Sequence, residues 1–242
     1  MSSQTIIETI QVCRHCGGRA PAGAHFCPSC SKILPLGRHA DYFSFFDLPR
    51  KINIDPSDLD ERFRALSRQF HPDYFYNATP AERRASLERS SYLNDAYRTL
   101  RSPIVRVEYL LKLEGLAPKG PAEASKEVPA ALLEEVFALN EELDEIRELR
   151  ARASALAEAG ANGWKERLER ARRPIEAKRA AHERQLGELC AEWDAFVDAD
   201  ASGTTRRPVL DALRQRLLER NYINNLLDGI QKELEPGTRN NA

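Results

Sequence analysis

The sequence has no apolar run approaching the ~20 residues that a bilayer-spanning helix needs, so none is predicted. Its formal net charge of −1 provides no global attraction to nucleic acid or to an anionic membrane. The N-terminal segment lacks the basic region and long apolar core of a secretory signal, and the Arg-rich amphipathic pattern of a transit peptide. These absences together predict a cytoplasmic protein with neither nucleic acid nor membrane as a partner.

The composition is typical of a globular, helix-rich chain. Hydrophobic residues make up 42% and charged residues 30% of the 242 positions. This length is sufficient for one or two ordinary domains.

The few cysteines are concentrated near the N-terminus. Four of the five form two CxxC pairs, Cys13 with Cys16 and Cys27 with Cys30. The i, i+3 spacing lets two thiolates converge on one ion from a tight turn, which indicates metal binding rather than disulfides. Four thiolates suit a closed tetrahedral zinc site, whose role is structural because no position remains for water or substrate. Iron also accepts such a site.

Other uses of this segment are less favoured. His15 and His25 lie within it, but four cysteines already complete a ligand set, so we interpret both as bystanders. Nucleic-acid binding is a rival use of such ribbons, yet residues 2–38 carry only four Lys or Arg and one Glu. A thiol-based oxidoreductase is disfavoured because the ribbon spacing favours a closed metal site. Residues 31–40 are predicted to be a linker.

Two helices are predicted after this linker. Residues 41–49 are dense in aromatic side chains and predict a short buried helix that stops at Pro49. Asp55 as N-cap and Pro56 in the first turn predict the start of the next helix. Its apolar residues repeat at i, i+4, i+7 and i+11 and form one stripe. They are Leu59, Phe63, Leu66 and Phe70.

The tripeptide His71-Pro72-Asp73 ends this helix. No nucleophile stands beside the histidine, and Pro72 has no N–H and holds φ near about −65°. The tripeptide is therefore not a catalytic set; it predicts a rigid, charged loop tip presented to a partner. Thr79 and Glu82 then predict the capping box of a third helix.

This order of elements resembles a J-domain, with the third helix carrying Leu-Asn-Asp-Ala-Tyr-Arg-Thr-Leu at 93–100. Three blocks are similar to the HscB family of J-type co-chaperones of iron–sulfur cluster assembly. They are Asp-Tyr-Phe-Ser-Phe-Phe at 41–46, Gln-Phe-His-Pro-Asp-Tyr-Phe at 69–75 and Ser-Pro-x-x-x-Val-Glu-Tyr-Leu-Leu at 102–111. Some members of that family also carry an N-terminal double-CxxC module.

The resemblance implies that the His-Pro-Asp loop and the basic face of the preceding helix contact the ATPase domain of a 70-kDa heat-shock-type chaperone. It implies that this contact stimulates ATP hydrolysis by the chaperone. The chaperone-binding residues would then be His71, Pro72, Asp73, Arg64 and Arg68; the helical period places both arginines opposite the apolar stripe.

A second domain is predicted beyond a Pro-rich linker at 117–128. Its first helix has a core stripe that consists of Leu132, Val136, Leu139, Leu143 and Ile146. Leu133 and Phe137 project away from this stripe, beside Glu134 and Glu141. An apolar pair on an acidic face is either a protein-binding spot or a packing contact with the rest of the chain, and the sequence leaves both open.

The resemblance implies that this face holds the scaffold protein on which the iron–sulfur cluster is built. The matching scaffold-binding residues are Leu133, Phe137, Glu141 and, from the last helix, Tyr222. Glu134 stands where family members often have a second bulky apolar residue.

The middle of this domain is longer than the usual family segment and predicts an extension, with an extra turn and helix. Pro174 is predicted to start or kink a helix within residues 164–196. Cys190, among helix apolars, is predicted to be a small core residue. The last helix is predicted over 208–234.

The sequence therefore predicts an all-α chain in three parts. A zinc module at 11–36 precedes a J-domain helical hairpin at 40–116 and a C-terminal three-helix bundle at 129–236. The predicted function is that of a co-chaperone, not an enzyme, acting with a 70-kDa chaperone and a cluster scaffold. A general J-protein client adaptor and a zinc-ribbon nucleic-acid-binding regulator carrying a J-domain remain as alternatives.

Overall fold

The structure, a computed structural model, describes residues 10–36, 41–116, 133–155, 163–200 and 203–235. Helices dominate these ranges, which confirms the predicted all-α class. No helix in them is long and apolar enough to cross a membrane. The chain divides into two compact units, Met1–Leu110 with Val197–Asp200 and Leu111–Phe196 with Ala201–Ala242. The linker predicted at 117–128 lies outside the described ranges, so its boundaries stay predictions.

The first unit begins with a small module, residues 10–36, which we call the metal module. Strand β1, Ile10–Val12, pairs antiparallel with β2, Arg19–Pro21. Its core contains two of the predicted metal ligands, and it consists of Cys13, Ala20, Cys27 and Leu34. The linker predicted from residue 31 is wrong at its start, because Ile33 and Leu34 are buried. Residues 37–40 lie outside the described ranges.

The next two helices form where the sequence predicts them, although the first ends at Phe45 and not at Pro49. Helix α1, Tyr42–Phe45, begins at Asp41, whose carboxylate accepts a hydrogen bond from the Ser44 N–H at 2.9 Å. Helix α2, Pro56–Phe70, has Asp55 as its N-cap. In its apolar stripe Leu59 and Phe70 are buried, whereas Phe63 and Leu66 are half-buried.

Helix α3, Pro80–Arg101, packs antiparallel to α2. Thr79 and Glu82 form the predicted capping box at its start. Late in α3, Tyr97 stacks on Phe63 at 4.2 Å between ring centroids. Early in α3, Ser86 contacts Phe70, so residues further along α3 meet residues earlier in α2. Helix α4, Pro103–Leu113, follows at once and stops before Gly115, which has a φ of +71°.

The second unit contains three long helices, α5 at Leu133–Ala155, α6 at Gly163–Asp198 and α7 at Gly203–Leu234. All three contribute to one core, which confirms the predicted bundle. Its buried residues are Leu143, Ile146, Leu168, Ile175, Ile223, Leu227 and Ile230. Ion pairs join the helix surfaces: Arg167 contacts Glu142 at 2.8 Å and Glu145 at 2.7 Å.

Pro174, which is predicted to start or kink a helix, does not start one but lies inside α6, a helix of 36 residues. It occupies an exposed position, where water can hydrate the carbonyl that loses its helical partner. Within the described residues the extension is part of the long helix α6, whereas the predicted extra turn falls outside them and stays a prediction. The predicted start of the last helix at Pro208 is wrong, because that helix begins at Gly203. Cys190 is buried as predicted.

Candidate functional site

The four predicted metal ligands lie together in the metal module. The Sγ atoms of Cys13, Cys16, Cys27 and Cys30 all lie within 4.8 Å of one another. The Sγ–Sγ distance is 3.7 Å in both the Cys13–Cys30 and the Cys16–Cys27 pair. This is far longer than the ~2.05 Å of a disulfide. It matches the edge of about 3.8 Å that a tetrahedron of sulfurs has around a metal at ~2.3 Å. The group can hold one metal ion.

Backbone geometry presents the two pairs in the same way. In the first knuckle the Gly17 N–H donates to the carbonyl of Cys13 at 2.8 Å, and in the second the Ser31 N–H donates to that of Cys27 at 2.8 Å. The donor residue has positive φ in both, +71° at Gly17 and +56° at Ser31. Glycine adopts this conformation without steric cost. Neither His15 nor His25 joins the ligand group, in agreement with their interpretation as bystanders.

The pKa values of the four clustered cysteine thiols favour binding of a cation. Burial opposes ionisation of the Cys27 thiol, but hydrogen bonds from the backbone of Cys30 and Ser29 outweigh burial and lower its pKa to about 6. At Cys30 a backbone hydrogen bond from Lys32 favours the thiolate, yet burial and the neighbouring thiols raise its pKa to about 12. Four adjacent thiolates therefore need a bound cation to coexist.

The His-Pro-Asp loop is an exposed, locally ordered tip. Helix α2 ends at Phe70, and Pro72–Phe75 forms a single 3₁₀ turn. The Asp73 N–H donates to Nδ1 of His71 at 3.3 Å. The side chains of His71 and Asp73 are 51% and 87% exposed. The tip therefore presents an imidazole and a carboxylate outward from a backbone that Pro72 stiffens.

The arginines of α2 divide into two classes. Arg64 and Arg68 are exposed, as the helical period predicts. Arg62 instead turns to Asp58 at 3.0 Å and donates to the carbonyl of Phe46 at 2.9 Å. Arg62 is therefore part of the fold, whereas Arg64 and Arg68 are exposed to solvent.

The predicted scaffold-contact residues lie on two helices of the bundle. Leu133 and Phe137 are 38% and 66% exposed on α5, and Glu141 is exposed one turn further along the same stripe. Tyr222 lies on α7, half-buried against the bundle core. We name Leu133, Phe137 and Glu141 the α5 patch.

A solved structure has the same architecture. The crystal structure of human co-chaperone protein HscB matches with a TM-score of 0.61 and 26% identity, covering 94% of this chain and 100% of that one. The human iron–sulfur cluster co-chaperone protein HscB is 36% identical over 136 residues. The chain is therefore similar to HscB co-chaperones in both sequence and fold. The matched sequence spans 55% of this chain and 57% of the human protein. No family model matches the chain.

One feature of the chain has no signal in the sequence: a contact between the metal module and α3. Arg89 is 2% exposed, and burial lowers its pKa to about 10, so its guanidinium is charged at neutral pH. It lies 2.7 Å from Nδ1 of His25. Burial and the Arg89 charge lower the pKa of His25 to about 4, so the imidazole is neutral and can accept this hydrogen bond.

Proposed function

We propose that this chain is a J-type co-chaperone that brings an iron–sulfur cluster scaffold protein to a 70-kDa heat-shock-type chaperone and stimulates the ATPase of that chaperone. The observation that carries the proposal is the exposed His71-Pro72-Asp73 tip beside Arg64 and Arg68. It occurs in a chain whose fold matches that of human co-chaperone protein HscB over 94% of its length.

The two units supply different parts of this activity. Arg64 and Arg68 steer the loop toward an acidic surface of the ATPase domain, because exposed charges of one sign accelerate encounter. The loop then inserts its imidazole and carboxylate at the chaperone. The α5 patch with Tyr222 holds the scaffold through a large apolar side chain, Phe137, beside the carboxylate of Glu141. The chain itself performs no covalent chemistry.

Because one chain binds both the scaffold and the chaperone, it can bring the two proteins together. A scaffold held by the second unit is at high effective concentration near a chaperone held by the first. ATP hydrolysis closes the chaperone on the delivered scaffold, which assists release of the cluster to an acceptor.

Steady-state ATPase assays test this function. We expect the chain to stimulate a chaperone specialised for cluster assembly, and the scaffold to lower the half-saturating chain concentration by about tenfold or more, because the two bindings are linked. A general 70-kDa chaperone is the control. Equal stimulation of both chaperones with no effect of the scaffold would instead support a general client adaptor, and no stimulation of either would contradict the proposal.

We also propose that the metal is zinc and that its role is structural. Zinc suits four thiolates, and coordination by all four leaves no position for water or substrate. The buried cluster around it consists of four residues, two of them ligands, so metal binding supplies most of the folding free energy of the module.

Removing one ligand tests the metal assignment. We expect one zinc per purified chain by elemental analysis, and Cys27→Ser to weaken zinc binding by at least about a hundredfold because a closed site loses one of four bonds. Cys190→Ser is the matched control, since Cys190 is buried but lies outside the ligand group, and its zinc content should equal wild type. Stoichiometric iron, or unchanged zinc affinity in Cys27→Ser, would contradict the assignment.

A further inference from the structure

The metal module contacts the residue immediately before the His-Pro-Asp loop. Phe70 is fully buried, and the ring of His25 meets it edge-on at 5.0 Å while Phe26 stacks on it at 6.0 Å. The Arg89 guanidinium carbon lies 5.6 Å from the Phe70 ring centroid. Two aromatic rings of the module and one cation of α3 therefore enclose the side chain from which the loop departs.

Arg89 also fastens the module to α3. Its guanidinium donates to the carbonyl of Leu34 at 2.8 Å and to those of Ala24 and Pro35 at 3.2 Å each. Together with the contact to His25, these bonds use the planar fork of donors that only arginine offers. Separating Arg89 from these carbonyls is energetically unfavourable, because it leaves a buried charge without hydrogen-bond partners.

On both sides of Arg89 in the sequence, serines of α3 hold the backbone of the same Phe70. The hydroxyls of Ser86 and Ser90 donate to its carbonyl at 2.7 Å and 3.0 Å. They satisfy a carbonyl at the end of α2, which has no partner within the helix. The position of Phe70 therefore depends on α3 through its carbonyl and on the module through its ring.

The module holds the far end of the loop as well. Lys32 pairs with Glu82 at 2.9 Å, and Glu82 closes the capping box with Thr79 where the loop enters α3. The Lys32 and Thr79 hydrogen bonds lower the pKa of Glu82 to about 2, so this carboxylate is charged at neutral pH. Between the two holding points the side chains of His71 and Asp73 are exposed.

We propose that the metal module is a clamp on the His-Pro-Asp loop and that Arg89 is the positioning residue that connects them. With metal bound, the carbonyls at positions 24, 34 and 35 stay in place for Arg89, and Phe70 stays enclosed. Loss of the metal removes these partners, releases Phe70 and lets the loop sample other conformations. Only the effect of the clamp on the chaperone rests on the proposed function, since the order of the loop can be measured without a chaperone.

Hydrogen–deuterium exchange on the full chain tests the clamp with millisecond labelling. The reporters are the amides of Tyr74, Tyr76 and Ala78, which are hydrogen-bonded within the loop. We expect a zinc chelator to raise their exchange rates about tenfold, because the loop loses both holding points, while the amides of Phe63 and Leu66 inside α2 hold steady. Unchanged loop exchange after complete zinc removal would overturn the clamp.

Variants then isolate Arg89. Arg89→Met should raise loop exchange to the level of the chelated protein with one zinc still bound, and Arg89→Lys should give an intermediate rate because it keeps the charge without the fork. Arg98→Met, at an exposed position of α3, is the matched control and should behave as wild type. A folded, zinc-loaded Arg89→Met with wild-type loop exchange would overturn the role of Arg89.

Two additions keep the test decisive. If Arg89→Met does not fold, Lys32→Met removes the second holding point at a half-exposed position, and a rise in loop exchange there is required. ATPase stimulation is measured in parallel: a released loop raises the half-saturating concentration of the chain about tenfold, because only a fraction of the molecules presents the loop correctly. A loop that responds to zinc in a chain that stimulates no chaperone would preserve the clamp and reject the proposed function.

Discussion

Asp73→Asn is expected to reduce stimulation of the chaperone ATPase to the basal rate, even at saturating chain concentration. The Asp73 side chain is 87% exposed and stands 3.5 Å from Nδ1 of His71. The substitution keeps its size but removes the negative charge that the loop tip presents. Because an exposed polar change of this kind alters stability by only about 0.5 kcal/mol or less, the loss of stimulation reports on the contact with the chaperone and not on folding.

The matched control for this experiment is Asp95→Asn, an exposed aspartate on α3 away from the loop. It removes the same charge from the same unit and should stimulate as wild type does. Scaffold binding, measured by calorimetry, should be unaffected by either change, because the α5 patch belongs to the other unit. Stimulation by Asp73→Asn at the wild-type level would show that the loop is not the trigger.

Local chemistry explains why much of this architecture could be predicted from the sequence. The caps at Asp55 and Thr79 are set by residues within three positions, and the structure has both. The cysteine spacing also fixes two knuckles without reference to the rest of the chain. The helical period alone predicts that Leu133 and Phe137 lie on the outside of a helix, and both are exposed.

Features that depend on distant partners could not be predicted. Arg89 lies on α3, whose sequence predicts only an amphipathic helix. Its hydrogen bonds go to carbonyls that are 54 to 65 residues earlier in the chain. No local sequence pattern distinguishes the buried Arg89 from Arg98, which is exposed later on the same helix. Pro174 likewise carries a local signal for a helix start, but residues on both sides of it, Leu168 and Ile175, are buried in one bundle core. Packing of the continuous helix outweighs the single lost hydrogen bond.

Phe137→Ala is expected to weaken scaffold binding by about 10- to 100-fold, the range typical of removing an aromatic anchor from a protein interface. Phe137 is 66% exposed, so its loss costs the bundle little. Leu87→Ala is the matched control, since Leu87 is 58% exposed on α3, and scaffold affinity there should equal wild type. Calorimetric titration of the scaffold into each variant measures the difference.

The same variant separates the two proposed contacts. With Phe137→Ala, stimulation of the chaperone without scaffold should stay at the wild-type level, because His71 and Asp73 belong to the other unit. The added effect of the scaffold should disappear, since a scaffold that does not bind is not brought to high effective concentration. Wild-type scaffold affinity in Phe137→Ala would remove the α5 patch from the interface. If Phe137→Ala instead lost stimulation of the chaperone without scaffold, Phe137 would act on the chaperone. The proposal that the scaffold and the chaperone bind two separate surfaces would then be wrong.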